Sequence, residues 1–532
     1  MSISSYEPGS QGTIYHNAVL FTVDNQFSTA SVIAVNGNAI VYVGNSISDA
    51  SRLLPRGAVS VDLEGLTVIP GIVEGHMHFL TEGQKLSEPD LSRKPKEEIL
   101  RIVAEEARGR EPGQWITGRG WNNELWPETA WPGKHELDAA APQNPVALTR
   151  VDGHSMWVNT LALREAGIDR SMPNPPGGEI VRSPDGDVQG ILVDTPIFNV
   201  WSAIPAPTEE KARAFYAMAE KELFSLGVTS LVNASQTLRN HGFLKRAFEA
   251  GELHIRVYEM LAAHRGQDVI HIEEGGGPVA GLYDERLTMR AIKLIGDGSL
   301  GSRSAWLLAD YADRPGHTGN GRYTDDEMLT ILHRARDNGF QACVHAIGDA
   351  CARQVVSVMD RALREKPVPD HRWRIEHFQT VASEDMDRAI LLGIIPGMQT
   401  IHEVSDRTMA LLRLGPERRA GSYDWRGVID RGGIFANGSD APMESVNPFP
   451  GMYAAIARSP KSARLTREEA LRSFTIWSAH AMFSENRKGS LEPGKLADFA
   501  VLDRNIMTCP EEDIPNTQVL MTVVGGKTVF AR

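Results

Sequence analysis

Eight apolar runs with strand character alternate with amphipathic helical segments through the middle of the chain, and this alternation constrains the fold more than any other feature. Most of the runs end in turn or polar residues. The helical segments between them carry capping-box signals, for example at Thr324 and at Thr466. Strands that alternate with helices build a parallel sheet, and eight such units predict a closed (β/α)8 TIM barrel in the α/β class. The runs lie at residues 68–78, 228–235, 255–261, 290–298, 340–349, 372–379, 394–402 and 433–440.

Both ends of the chain have a different character, because they are rich in short β-type runs. A tight turn at Asn36-Gly37 separates two such runs near the start, and Gly525-Gly526 does the same near the end. Neither end has enough strands to bury a face alone. We therefore predict that residues 1–66 and 487–532 pair into one small β-sandwich, and that residues 67–486 form the barrel domain.

The segment 84–205 follows the first barrel run and is far longer than an ordinary βα loop of about 2 to 6 residues. It predicts an inserted lobe that leaves the barrel at the carboxyl end of a strand and acts as a lid over the catalytic face. Trp121, Asp152, His154 and Trp157 are its candidate substrate-binding residues, with the core of the lobe as the alternative place for them.

Composition excludes several classes of function. The chain has 532 residues, a formal net charge of −13 and no basic run, so nucleic acid is not expected as a partner. No signal-peptide pattern and no apolar run of membrane-spanning length are evident. Three cysteines do not form a disulfide framework, which favours a reducing compartment. These features predict a cytoplasmic protein that binds a small-molecule substrate, not a membrane.

Potential metal ligands recur where the predicted strands end. A His-x-His pair by itself is weak evidence, because a chain with 16 histidines can contain one by chance. Alternation along a strand does place both imidazoles of such a pair on one face. Burying this many polar groups at one end of a barrel without a shared role would be costly, so together they predict a metal site. The residues are His76, His78, Lys293, His345, His377 and Asp440.

Several ordered motifs resemble one known family. The segments are "PGIVEGHMHF", "IKLIGDGSLGSR", "VHAIGD", "RIEHFQ", "NGSDAPMESVNPF" and "GSLEPGKLADFAVLD". Together they are similar to the amidohydrolase superfamily, in particular its amidohydrolase-3 branch, which includes N-substituted formamide deformylase. The resemblance spans nearly the whole chain and is specific for the family, but it says little about substrate.

The resemblance implies a metal-binding role for each matching position. His76 and His78 would hold one divalent metal ion, and His345 and His377 a second, with Zn2+ as the expected metal. Asp440 would bind the first metal and move protons.

Lys293 stands where many relatives carry a carboxylated lysine that bridges the two metals, and an ion-paired lysine is the alternative. The usual aspartate two residues before the first histidine is Glu74 in this chain. That position is not normally a ligand.

The implied reaction is hydrolysis of an amide-type C–N bond, with an N-substituted formamide as one candidate substrate. A metal-activated hydroxide would attack, and Asp440 would serve as general base and then as general acid. Arg303, just past the fourth run, and His402, at the end of the seventh, are further candidate substrate-binding residues.

Three alternatives stay open. A cyclic-amide hydrolase or a deaminase could use the same scaffold, although a mononuclear deaminase normally lacks the bridging lysine and has a glutamate near the fifth run, which is absent beside His345. A non-catalytic barrel protein would be expected to lose ligands, whereas all six are present. The oligomeric state is open, with a homodimer compatible with the family.

Overall fold

A computed structural model describes residues 12–151, 153, 155–175, 178–263 and 277–532. These residues divide into two compact units. The barrel unit holds residues up to 80, 216–300 and 305–532, and the second unit holds residues 81–215 and 301–304. The predicted domain boundaries stay predictions, and each unit is described by itself.

Parallel strands form the central sheet of the barrel unit, and their order in the sheet follows their order in the chain. The sheet is nearly closed, because the N–H of Asp440 donates to the carbonyl of His76 at 2.7 Å and the N–H of His78 donates to the carbonyl of Ala441 at 2.7 Å. The α/β class and the eight-stranded parallel barrel predicted from the sequence are therefore confirmed. The barrel strands are β1 (Ile72–Met77), β2 (Val228–Gln236), β3 (Arg256–Ala262), β4 (Leu287–Ile295), β5 (Gln341–Ala346), β6 (Arg374–His377), β7 (Ile395–Met398) and β8 (Ala436–Asn437). One short antiparallel strand, Val279–Gly281, pairs with β4.

The first predicted run is divided into two strands, which the sequence did not indicate. Its first part, Thr67–Pro70, pairs with Phe499–Leu502 and with Val19–Phe21 in a different sheet. Gly71 separates this strand from β1, and a Cβ at Gly71 would collide with the side chain of Thr229. Only glycine permits this close approach at the point where the two strands divide.

Strands from both ends of the chain share one sheet in the barrel unit, in which Thr67–Pro70 lies between them. Tyr15 packs edge-on against Phe499 with ring centroids 5.1 Å apart, inside a buried cluster drawn from both termini. One sheet contains Val19–Phe21, Thr29–Ala30, Thr67–Pro70, Phe499–Leu502, Val519–Val524 and Lys527–Ala531. The other contains Thr13–His16, Val32–Asn36, Ala39–Gly44 and Val59–Asp62. The composite sandwich as a separate domain stays a prediction.

The second unit is built on a mixed sheet with its own hydrophobic core. Trp121 and Trp126 stack with ring centroids 5.8 Å apart, and Trp157 packs against both. The strands of this sheet are Ile116–Trp121, Val146–Arg150, Ser155–Val158, Gly178–Arg182 and Val188–Asp194.

Helices lie between most barrel strands, and the second unit contains several more. The capping boxes at Thr324 and Thr466 form as the sequence predicts, with each hydroxyl accepting the N–H of a glutamate three residues on. The α-helices that the structure describes are Ile47–Arg52, Phe79–Ser87, Lys96–Arg108, Lys134–Ala140, Thr160–Glu165, Ile197–Ala203, Glu209–Ser225, Leu238–Glu249, Leu282–Glu285, Asp325–Asp337, Asp349–Glu365, Ser383–Leu391, His402–Ser405, Arg407–Ala420, Trp425–Asp430, Pro448–Ala457, Arg467–Ser473 and Ile476–Ala481. Short 3-10 turns lie at Asn123–Leu125, Lys461–Ala463 and Glu511–Asn516.

Within the described ranges, none of the helices combines the length and apolar character needed to cross a bilayer.

Candidate metal centre

Three predicted ligands meet where β1 and β8 end. One ligand atom each from His76, His78 and Asp440 lies within 4.8 Å of the others. The Oδ1 of Asp440 is 3.3 Å from the Nε2 of His78 and 3.6 Å from the Nε2 of His76. These spacings suit side chains that converge on one cation between them.

The backbone of β1 and the segment after β8 hold this group in place. The side chain of Glu74 links the two segments, because its Oε1 accepts the N–H of His76 and the N–H of Ser439, each at 2.9 Å. Gly438 packs against this carboxyl group, and a Cβ at Gly438 would collide with Glu74. Burial raises the pKa of Glu74 to about 8, so this carboxyl acts as a structural link and not as an exposed charge.

His345 and His377 lie next to the first group. Their ring centroids are 4.5 Å apart, and the ring of His377 is 5.1 Å from that of His76. The Nδ1 of His377 is 2.9 Å from the Oε1 of Gln399, which leaves its Nε2 for a ligand. The Nε2 of His345 faces the carbonyl of Gly298 at 3.2 Å, which leaves its Nδ1. Among the described residues, the group whose ligand atoms all lie within 4.8 Å of one another contains His76, His78 and Asp440, and does not include His345 or His377.

The side chain of Lys293 is buried between these groups. Its Nζ lies 3.4 Å from the Nε2 of His76. Burial lowers the pKa of the Lys293 ammonium, although the negative charges of Glu376 and Asp440 oppose that shift. A buried amine with a lowered pKa is closer to the neutral form that reacts with electrophiles.

The protonation states fit a divalent metal ion. Burial and the charge of Lys293 lower the pKa of His76 to about 4, so its imidazole is neutral at pH 7 and can donate a lone pair. Burial opposes ionisation of Asp440, but the hydrogen bond from His78 and the electrostatic effects of His377, His76 and His78 together outweigh it and hold the pKa of that carboxyl well below its usual range. Imidazole nitrogens with one carboxylate are a donor set that zinc and similar ions accept.

Sequence reasoning missed two residues that contact this group. Glu376 immediately precedes His377, and its Oε2 lies 2.5 Å from the Nδ1 of His76. Arg374 pairs with Glu376, with its Nε 2.7 Å from the Oε1. The sequence does contain a signal for them. Arg374 and Glu376 have opposite charges and are two residues apart, so their side chains lie on the same face of a barrel strand. His377 can join the same interior because its φ of +72° breaks the alternation.

The substrate-binding roles stay predictions, and the residues proposed for them lie in different parts of the molecule. His402 begins a short helix, and its ring is parallel to that of His377 with centroids 6.4 Å apart. Arg303 belongs to the second unit. Asp152 and His154 lie outside the residues that the structure describes.

Packing accounts for both predicted tryptophans. Trp121 and Trp157 are fully buried in the core of the second unit. The indole N–H of Trp121 donates to the carbonyl of Leu148 at 2.8 Å, and that of Trp157 donates to the carbonyl of Gly133 at 3.0 Å. With their N–H groups hydrogen-bonded and their surfaces covered, both indoles pack as core residues, the alternative place for them, and their role in substrate binding stays a prediction.

Comparisons with known proteins identify the family of the chain. A family model described as the amidohydrolase family matches residues 60–530. Protein LONG AFTER FAR-RED 3 of Arabidopsis thaliana is 30% identical over 539 residues, which cover 97% of this chain and 91% of that protein. N-substituted formamide deformylase of Arthrobacter pascens is 28% identical over 544 residues, which cover 97% of this chain and 98% of that protein.

A solved structure extends this likeness to three dimensions. An uncharacterized metal-dependent hydrolase from Pyrococcus furiosus has 26% sequence identity and a TM-score of 0.79, over 93% of this chain and all of that one. The resemblance predicted from the motifs is confirmed. With its family model, its relatives and its barrel in agreement, the chain belongs to the amidohydrolase family of metal-dependent hydrolases.

Proposed function

We propose that this hydrolase cleaves an amide-type C–N bond other than a peptide bond. The observation that carries the proposal is the convergence of His76, His78 and Asp440 beside the buried amine of Lys293. The similarity to N-substituted formamide deformylase makes N-substituted formamides the first substrates to test.

The six predicted ligands would hold two divalent ions, with zinc as the first candidate. His76, His78 and Asp440 would hold one ion, and His345 with His377 the other. Lys293 would bridge them as a carbamate. In forming it, the lone pair of the neutral Nζ adds to the carbon of carbon dioxide, an N–C bond forms, and the nitrogen releases a proton to solvent. The product is an anionic group of the kind that hard cations prefer.

Asp440 would carry the proton in hydrolysis. Its Oδ1 accepts a proton from the attacking water and passes it to the leaving nitrogen as the C–N bond breaks. A carboxylate with a lowered pKa is a weak base, so the transfer needs a more acidic water. Bound divalent metal would supply that by lowering the pKa of water towards about 7 and by polarising the substrate carbonyl.

The test combines metal analysis with a substrate screen. Purified protein should contain about two equivalents of divalent metal per chain, as a two-metal site requires. The metal-loaded protein is then assayed against N-formyl, N-acyl and cyclic amides, with chelator-treated protein as the control. Release of formate from a formamide supports the proposal, and metal-free protein with no hydrolysis of any amide would contradict it.

Two competing functions are separated by the same experiment. Hydrolysis confined to cyclic amides, or release of ammonia from an amino-substituted ring, would favour the cyclic-amide hydrolase or deaminase. A non-catalytic barrel predicts neither metal nor turnover. We further propose a cytoplasmic enzyme with a small-molecule substrate and no nucleic-acid or membrane partner. We also propose a homodimer, and light scattering of the purified protein measures the molar mass that tests it.

A further inference from the structure

A buried ion pair lies against the nitrogen of His76 that points away from the other ligands. The Oε2 of Glu376 is 2.5 Å from the Nδ1 of His76. The Nη2 of Arg374 donates to the same Oε2 at 3.0 Å, and its Nε lies 2.7 Å from the Oε1. The side chains of Arg374 and Glu376 have no exposed surface, and that of His76 is 2% exposed.

The charge on Glu376 decides which nitrogen of His76 carries the proton. The guanidinium of Arg374 contacts both carboxyl oxygens of Glu376, at 3.0 Å and 2.7 Å, which makes Glu376 the ionised partner of this pair. An ionised carboxylate can only accept a hydrogen bond. The Nδ1 of His76 must therefore be the donor, and the lone pair remains on Nε2, the atom that faces Asp440 and Lys293.

Neighbouring strands are shaped to hold the pair. Arg374 also donates from Nη2 to the carbonyl of Gly75 in β1 at 2.9 Å. On the other side, Gly397 of β7 is the register partner of Glu376. A Cβ at Gly397 would collide with the Oε2 of Glu376 and would lie 2.8 Å from the Nη2 of Arg374. The space for the ion pair therefore depends on a glycine in the adjacent strand.

Stability alone does not explain this arrangement. A buried ion pair costs so much desolvation that apolar residues of similar volume often stabilise a protein equally well or better. The pair lies against a ring nitrogen of His76, which indicates another role. A carboxylate hydrogen-bonded to the second nitrogen of a metal-binding imidazole orients the ring and increases its basicity.

We propose that Glu376, held by Arg374, is a positioning residue that fixes the ring and the tautomer of His76 so that Nε2 is presented to the metal. This inference rests on the proposed function, since it requires His76 to bind a metal ion. Glu376 does not contact the reacting atoms and acts only through His76.

The test measures metal affinity and not only turnover. Zn2+ affinity of the full chain is determined by competition with a chromophoric chelator, and the visible spectrum of the Co2+-loaded protein reports the ligand geometry. Glu376→Gln should weaken Zn2+ binding by about 10- to 100-fold, the usual effect of losing an outer-shell partner. The Co2+ spectrum should change with it.

A double variant keeps the test decisive if the single variant does not fold. Arg374→Met/Glu376→Leu replaces the whole pair by apolar side chains, a change that buried ion pairs often tolerate. The matched control is Arg256→Met/Asp498→Leu, which removes another buried pair, with N–O distances of 2.6 and 2.9 Å, outside the metal site. Both variants should fold, and only the first should lose Zn2+ affinity.

The outcomes separate this inference from the proposed function. Wild-type Zn2+ affinity and an unchanged Co2+ spectrum in the folded Arg374→Met/Glu376→Leu variant would overturn the positioning role and leave the metal site intact. If the wild-type protein binds neither Zn2+ nor Co2+, the proposed function fails and the inference fails with it.

Discussion

The Nζ of Lys293 lies 3.4 Å from the Nε2 of His76, and both side chains are buried. Two nitrogens at this distance would repel each other if both were protonated. The lowered pKa of each group, caused first by burial, removes that competition. The arrangement suits a lysine that becomes a carbamate and a histidine that stays neutral.

Replacing Lys293 by alanine should remove the proposed bridging carbamate. We expect the variant to lose about one of two metal equivalents and more than about 100-fold in kcat, a larger effect than an outer-shell contact has. Short carboxylic acids such as acetate should restore part of the activity by filling the space with a carboxylate. Metal analysis and kcat with and without acetate measure this, and Lys488→Met, which removes a buried lysine elsewhere in the barrel unit, is the control. Full metal content with wild-type kcat would exclude the bridge.

Replacing Asp440 by asparagine should separate metal binding from turnover. The histidines and Lys293 remain, so most of the metal should be retained. The amide cannot alternate between base and acid, so kcat should fall by about 10²- to 10⁴-fold. Turnover normalised to the metal content of each preparation checks this, and a near wild-type kcat would show that another group carries the proton.

The stability of the protein should depend on Lys488 in a defined pH range. Its Nζ donates to the Oγ of Ser230 at 2.9 Å, and burial lowers the pKa of Lys488 from 10.5 to about 7. Between those values the unfolded chain binds a proton that the folded protein does not, so protonation favours unfolding. The penalty is complete below about pH 7 and disappears as pH rises towards 10.5.

Urea denaturation of wild type and Lys488→Met from pH 6 to pH 10 measures that dependence. The free energy of unfolding of the wild type, relative to the variant, should increase with pH. The exposed lysine variant Lys527→Met should show no such trend relative to wild type. A difference between wild type and Lys488→Met that does not vary with pH would contradict the assignment.

Trp157 should matter for stability and not for substrate recognition. Trp157→Ala removes a large buried side chain from the core of the second unit and should lower the free energy of unfolding by about 3 to 5 kcal/mol. Trp157→Phe should cost less, because it keeps most of the packing and loses the bond to Gly133. Denaturant unfolding and KM of the folded variants distinguish the roles. A raised KM at wild-type stability would instead support the predicted substrate contact.

Local sequence patterns determined much of this protein. The alternation of apolar runs and helices predicted the parallel barrel, and the placement of His76, His78 and Asp440 at run ends predicted the group that the structure brings together. Such features are readable because strand alternation and helix capping depend on residues close in the chain. The family resemblance added roles that no spacing could supply.

Only the tertiary structure decided which distant side chains touch. Glu376 meets His76 because β6 and β1 face each other across the barrel interior, a relation that no local pattern records. Likewise the break at Gly71 and the enclosure of Trp157 depend on what packs against them. Sequence periodicity specifies the face on which a residue lies, whereas register, closure and packing between distant elements specify its partner, and the chemistry of the site depends on the partner.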